Sequence, residues 1–309
     1  MFTQSCFGFR RFSLLLLVVL ISMLSVSKGF SVQGMRNVGL RRSTSRGLNA
    51  LQMANFHLVL VRHGESTWND ENKFTGWYDC PLSKKGEAEA IAAGKLLHEN
   101  NFKFDLAYTS YLQRAIKTLW HSLEQTGQMY IPVNHAWQLN ERHYGALQGL
   151  DKQQTVEKFG KDQVLIWRRS YDIPPPECED GSPMLPANDP RYSAFPEARK
   201  IKTESLKTTL DRVVPFWHSD IAPQVKAGKN VIIAAHGNSL RALVKYLDNI
   251  SDKEITELNI PTGVPLVYEL DHDLKVIPHK DAIAPLKGRY IGNQEEIKKR
   301  ILGVKNQTK

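Results

Sequence analysis

Two strand-length apolar runs in this chain end in the same way. Leu58-Val59-Leu60-Val61 runs into Arg62-His63-Gly64-Glu65-Ser66, and Val231-Ile232-Ile233-Ala234-Ala235 runs into His236-Gly237-Asn238-Ser239. Unbroken apolar runs of this length that stop at a glycine-containing loop predict strands buried on both faces. The carboxyl end of such a strand is where α/β sheets place their ligands, so His63 and His236 are predicted to be displayed rather than packed. If the two strands are parallel, both rings face one pocket.

The rest of the pattern alternates. Ser83 followed by Lys84-Lys85-Gly86-Glu87 predicts a capped helix running to about Asn100. Leu106–Thr109 reads as a short strand, and a helix follows from about Tyr111 to Gln125, with Leu112, Ala115, Ile116 and Leu119 on one face and Arg114 in its first turn. A further strand is expected to end near Leu139-Asn140. Residues 172–196 hold Pro174, Pro175, Pro176, Pro183, Pro186, Pro190 and Pro196 with Gly181, a density that predicts a long loop over the sheet. Loops of this length usually act as lids or binding loops. A helix is expected from near Glu204 to about Lys226, kinked at Pro215, and Leu240–Leu247 forms another after His236. Val264–Leu270 is the expected last strand, with Pro265 marking an edge or a strand start. Strands alternating with helices predict one α/β domain, a three-layer sandwich with a mostly parallel central sheet covered on both faces.

Charge first suggests a nucleic-acid partner, because the 309 residues carry a formal +9. Its distribution removes that reading. Residues 1–54 contain Arg10, Arg11, Lys28, Arg36, Arg41, Arg42 and Arg46 and no acid, which leaves +2 for everything after them. That first segment reads as a cleavable targeting leader. Arg10 and Arg11 precede the apolar stretch Leu14–Ile21, which fades by about Val26, short of the roughly 20 residues a span requires, and Ser27-Lys28-Gly29 offers a small-x-small cut. Residues 1–29 are thus expected to be a signal peptide and 30–54, basic and rich in Ser and Gly, a transit-like stretch, ahead of one domain at 55–309. Together they resemble the bipartite leaders of algae with secondary plastids. Plastid delivery is expected, with mitochondrial import the second reading and secretion the third, and with no membrane association of the mature form. Cys6 lies in the leader, and Cys80 and Cys178 form no C-x-x-C pair, so free thiols are expected.

The residues also suggest a chemistry. Arg62 beside His63 discourages imidazolium formation and supplies a fixed positive charge, so a neutral ring nitrogen could attack an anionic phosphoryl group. Arg114, in the first turn of a helix, would place a guanidinium beside free backbone N–H groups, a favourable anion site. Two histidines and Glu141 also invite a metal, but Arg62 and Arg114 would repel a dication and the chain has no H-E-x-x-H spacing, so no metal is expected.

Arg62-His63-Gly64 with Glu65-Ser66-Thr67-Trp68-Asn69, Phe74-Thr75-Gly76-Trp77, Glu141-Arg142-His143-Tyr144-Gly145, Arg168-Arg169 and Ala235-His236-Gly237-Asn238, in that order, resemble the cofactor-dependent phosphoglycerate mutases of the histidine phosphatase superfamily. The resemblance runs from about Phe56 to the C-terminus. It implies the same fold with one antiparallel strand, His63 as the phosphorylated nucleophile, and Glu141 as the proton shuttle, its pKa raised by a neighbouring phosphohistidine. Arg62, Arg114 and a protonated His236 would hold the transferring group. It further implies a substrate-binding set of Arg62, His63, Gly64, Glu65, Ser66, Thr67, Trp68, Asn69, Thr75, Gly76, Arg114, Glu141, Arg142, His143, Tyr144, Lys152, Arg168, Arg169, Gly237 and Asn238. Within that set Lys152, Arg168 and Arg169 grip the carboxylate and second phosphate of a glycerate, and Ser66 fits a mutase where bisphosphoglycerate-making relatives carry glycine. The implied activity interconverts 3-phosphoglycerate and 2-phosphoglycerate, with 2,3-bisphosphoglycerate as primer. Small phosphoglycerates are the expected partners, nucleic acid is not, and homo-oligomer formation is left open. One rival is a histidine phosphatase that loses the phosphoenzyme to water. The other is a non-catalytic phospholigand-binding protein, against which the intact His63, Glu141 and His236 argue.

Overall fold

The computed structural model describes residues 56–306, so the leader read at 1–54 lies outside the described residues. A six-stranded sheet has the order β3-β2-β4-β1-β5-β6, where β1 is Phe56–Arg62, β2 Leu106–Thr109, β3 Val133–His135, β4 Val231–Ala235, β5 Pro265–Leu270 and β6 Arg289–Tyr290. β1 pairs parallel to β4 with Leu58 opposite Val231 and Arg62 opposite Ala235, and β4 pairs parallel to β2. β5 alone runs against the others, pairing antiparallel to both β1 and β6. This is the α/β fold with a mostly parallel sheet that the alternation predicts.

The two-residue period of the strands divides the core. Leu58, Leu60, Val231 and Ile233 point to the face covered by α5 (Leu206–Phe216) and α7 (Gly237–Asp248). Val59, Val61, Ile232 and Ala234 point to the opposite face, packed by α1 (Lys84–Glu99) and α2 (Gln113–Thr126). Both faces are therefore dry. α3 (Lys152–Phe159) and α4 (Lys161–Arg169) lie between the two His-Gly segments in the chain, and α8 (Gln294–Asn306) follows β6, with α6 (Ala222–Lys226) continuing from α5.

Some expectations are corrected. The segment before Glu141 is a 3-10 turn at Trp137–Leu139, and the strand there stops at His135. The proline-rich stretch contains short 3-10 turns at Pro186–Asn188 and Pro190–Tyr192. Proline favours the first position of such turns because its missing N–H would lack a partner there anyway. Pro215 does not simply kink its helix, because the chain winds as a π-helix over Trp217–Ile221 before α6 begins. A missing N–H within a helix commonly has this outcome. Pro265 opens β5, but β5 is not an edge, since β6 pairs along its far side. Among the described residues no helix is long and apolar enough to cross a membrane.

Candidate active site

The parallel register of β1 and β4 brings the two histidines together. His63 N–H donates to Ala235 O at 2.9 Å, and the imidazole centroids of His63 and His236 are 4.9 Å apart. Both side chains are buried. His63 Nδ1 lies 2.6 Å from its neighbour's carbonyl, Gly64 O. A carbonyl only accepts, so the ring proton sits on Nδ1 and the Nε2 lone pair is left exposed to the pocket. Arg114 Nε approaches that lone pair at 3.4 Å. Burial, then the Arg114 and Arg62 charges, hold the His63 pKa well below its usual value. The ring is therefore neutral near pH 7, as a nitrogen nucleophile requires.

The same causes act on His236. Burial, Arg114, His63 and Arg62 push its pKa well below the ordinary range, so the imidazolium expected from the resemblance is not the resting form. A proton on His236 needs an anionic group beside it. Its Nε2 lies 2.7 Å from Ser110 Oγ at the end of β2, a contact that sequence reasoning missed.

Glu141 is held on the third side. Its Oε1 accepts the Arg142 N–H at 2.7 Å and the Asn238 N–H at 3.0 Å, the latter from the first turn of α7, whose dipole favours a carboxylate. Its backbone carbonyl accepts from Trp77 Nε1 at 2.5 Å and Arg212 at 3.0 Å. Ligand atoms of His63, Glu141 and His236 lie within 4.8 Å of one another, close enough to bind a metal. Arg114 at the Nε2 lone pair, and Arg62 in the same cavity, oppose a dication there and favour an anion.

The guanidinium groups are aimed by the fold. Arg114 is fully buried and donates to Tyr78 O at 2.9 Å and Gly76 O at 2.8 Å. The free helix-start amides expected beside it are largely used: Asp79 Oδ1 accepts from Gln113 N at 2.7 Å, and Leu112 O accepts from Ala115 N and Ile116 N. Arg62 donates one N–H to Ile260 O at 2.7 Å, while its Nε is buried and makes no hydrogen bond. Thr75 Oγ1, Arg168 Nη1 and Arg241 Nε are likewise buried and unpartnered. Buried donors without partners are costly, so their convergence on one cavity marks a site built for an anionic acceptor.

That cavity is lined by Arg62, Lys73, Arg114, Lys152, Arg168, Arg169 and Arg241 against the single carboxylate of Glu141. Burial, reinforced by neighbouring positive charges, lowers Lys152 to about 8, Arg168 to about 10 and Arg241 to about 9. Burial alone would raise the Tyr144 phenol, but the Arg142 and Arg168 charges pull it down to about 8. Arg142 stacks on that ring, its guanidinium carbon 4.4 Å from the centroid.

Of the expected binding residues, His63, Arg62, Asn69, Thr75, Gly76, Arg114, Glu141, Tyr144, Lys152, Arg168, Arg169, Gly237 and Asn238 line this cavity. Seven others stand behind its wall. Gly64 packs on Gly86, where a Cβ would meet the carbonyl oxygen at 2.1 Å. Glu65 binds Ser83 and Lys85, Ser66 caps the short helix Thr67–Asp70, and Thr67 N–H donates to Pro81 O. Trp68 stacks on Tyr78 with centroids 3.8 Å apart. Arg142 supports Tyr144 and Arg168 O, and His143 is bound to Met184 O and Gly145 N. Lys73, Phe74, Arg241, Asn259 and Ile260 line the cavity and were not anticipated as site residues.

A neutral imidazole facing a second imidazole and a carboxylate, with guanidinium groups around them, can take up and pass on a phosphoryl group through nitrogen. Residues 58–185 match the histidine phosphatase superfamily (branch 1). Solved structures share the fold. A protein described as mycobacterial hydrolase 1 is 22% identical with a TM-score of 0.56, over 77% of this chain and 97% of its own. A mycobacterial glucosyl-3-phosphoglycerate phosphatase is 21% identical with a TM-score of 0.55, over 77% and 97%. An alpha-ribazole phosphatase from Shigella flexneri is 19% identical with a TM-score of 0.55, over 77% and 99%.

Proposed function

We propose that the chain is a phosphoglycerate mutase, interconverting 3-phosphoglycerate and 2-phosphoglycerate through phospho-His63 with 2,3-bisphosphoglycerate as primer and no metal. The observation that carries this reading is the second cationic cluster. Lys152, Arg168, Arg169 and Arg241 line the cavity in addition to Arg62 and Arg114, so it offers more positive charge than one phosphate ester needs. A phosphoglycerate carries a phosphate and a carboxylate, and the bisphosphate carries three anionic groups. The unpartnered donors on Arg62, Thr75, Arg168 and Arg241 fit such a ligand.

In this reading the His63 Nε2 pair forms the N–P bond as one P–O bond of the bisphosphate breaks and a phosphoglycerate is left. Glu141 gives that oxygen its proton. Glu141 Oε1 is tied to two amides, which fixes the carboxyl group and leaves Oε2 for the proton. Arg62 and Arg114 balance charge on the non-bridging oxygens, and His236 gains its proton as that charge arrives. In the transfer step Glu141 takes the proton from the free hydroxyl of a phosphoglycerate while the N–P bond breaks and the bisphosphate forms, and recovery of the phosphoryl group from the bisphosphate's other oxygen leaves the isomer.

Hydrolysis by a phosphatase is the second reading, favoured by the names of the structurally similar proteins. A coupled assay of the purified protein on 3-phosphoglycerate, with and without 2,3-bisphosphoglycerate, separates the two. Primer-dependent isomerisation faster than phosphate release supports the mutase, and phosphate release without isomerisation overturns it. Arg168→Ala sharpens the comparison. Charge-assisted hydrogen bonds are worth about 1.5–3 kcal/mol, so kcat/KM on phosphoglycerate should fall roughly 10- to 150-fold while hydrolysis of a simple phosphate ester falls far less.

A further inference from the structure

Lys152 is the first residue of α3, capped by Asp151, and its side chain lines the cavity with His63, Arg62 and Arg168. It is only 9% exposed. Its amine makes one long hydrogen bond, 3.5 Å to Asn72 Oδ1, while the Asp151 carboxylate is turned to the Gln154 amide at 2.8 Å. A helix N-terminus carries partial positive charge, so an ammonium there is disfavoured by the backbone as well as by the nearby guanidinium groups. The setting favours an anion and at the same time drives a proton off an amine.

We propose that Lys152 is a carbonyl-capture site, condensing with small phosphorylated aldehydes that the cavity's guanidinium groups hold by the phosphate, and so closing the pocket reversibly. The lysine nitrogen attacks the carbonyl carbon, and the carbonyl oxygen takes up a proton to give a carbinolamine. Water then leaves as the C=N bond of the imine forms. No oxidant or reductant is needed, and hydrolysis reverses the step. The phosphate half is supplied by the unpartnered N–H groups of Arg62, Arg168 and Arg241. The inference rests on the charge of the cavity and stands apart from the mutase reading.

Protonation supports the assignment. Burial comes first, then Arg168 and Arg62, against which Tyr144 and Asp151 pull the other way, and together they bring the amine down to about 8 from 10.5. About one amine in ten is then free base at pH 7, against about one in three thousand for an ordinary lysine.

The test is labelling of the purified protein with limiting pyridoxal 5′-phosphate, trapping by borohydride and peptide mass spectrometry. Lys152 should be modified at least about tenfold faster than any other lysine. Unphosphorylated pyridoxal should react at least about tenfold more slowly there, and inorganic phosphate should protect. The rate should rise with pH and level off above about 8, where a solvent lysine would keep climbing. Label on Lys73 or spread over surface lysines, equal reaction with pyridoxal, or no protection by phosphate overturns the proposal. None of these measurements uses turnover, so failure of the mutase assay leaves them readable.

Discussion

The protonation of two facing imidazoles decides which one attacks. Gly64 O fixes the His63 proton on Nδ1, and Ser110 is placed to fix that of His236. Ser110 Oγ accepts the Leu112 N–H at 3.1 Å and keeps a hydrogen and a second lone pair, so at 2.7 Å it holds His236 Nε2 in either neutral form of the ring. Ser110→Ala removes that partner. kcat should fall roughly 2- to 10-fold, the worth of one neutral hydrogen bond, and the 15N shifts of His236 should move from the single tautomer that Ser110 holds to a mixture. Unchanged nitrogen shifts would reduce Ser110 to a packing residue. At this scale much of the site was legible. His63 and His236 announce themselves by standing at the ends of apolar strands. Arg241 could have been found as well, since it follows Gly237 and Asn238 by one helical turn, the spacing that returns a side chain to the same face. Asn259 could not, because it reaches the cavity through its hydrogen bond to Arg169 and sits in no local pattern. Ser110 is known as a partner of His236 only once β2 and β4 are seen to be neighbours.

Glu141 stands on a segment with little regular structure, and α5 keeps that segment in place. Arg212 of α5 donates to Gln138 O at 2.6 Å, Asn140 O at 3.1 Å and Glu141 O at 3.0 Å. Its charge is met by Glu204, with Nε to Oε1 at 2.6 Å and Nη2 to Oε2 at 2.9 Å, both side chains being under a tenth exposed. Glu204 also accepts the His143 N–H at 2.8 Å. Removing one member of a buried pair leaves the other uncompensated, at a cost of about 3–5 kcal/mol. Arg212→Met should therefore lower the midpoint of denaturant unfolding. Glu204→Leu with Arg212→Met should recover part of that loss in stability while kcat stays low, because Gln138 O and Asn140 O lose their Arg212 donor and Glu141 O keeps only Trp77. Full recovery of kcat in the double variant would show that the pair does not position Glu141. The elements that read well were those with a strong period or an unbroken apolar run, such as β1, β4, α1 and α2. The segment 133–141 was misread because its short strand is mostly exposed and its buried Trp137 and Leu139 belong to a turn. α3 and α4 were not seen at all, since each buries only one or two side chains and their sequences are mostly polar.

The charge of the whole chain says little about its ligand, because residues 1–54 carry seven of the nine net positive charges. The fold nevertheless concentrates seven cationic side chains around one cavity. At the other end of α7, the helix that begins beside His236, a carboxylate faces the opposite problem. Asp248 is buried as the last residue of α7, where the helix dipole disfavours negative charge. It accepts from Tyr268 OH on β5 at 2.6 Å and from Lys287 N at 3.2 Å, so it ties α7 to the C-terminal part of the chain. Burial raises its pKa to about 6, although both hydrogen bonds and the Lys287 charge work against the rise. A carboxyl group with a raised folded pKa favours the native state most when it is protonated. Its contribution is intact below the unfolded value of 3.8 and is lost as pH climbs through about 6, a penalty of about 3 kcal/mol in full. Asp248→Asn keeps an acceptor for Tyr268 and cannot ionise. The Tm of the variant relative to the parent should rise by roughly 6–12 °C between pH 4 and pH 7 and stay level above that. A Tm difference that does not change with pH would mean that Asp248 does not titrate in this window and that its carboxylate is solvated within the fold.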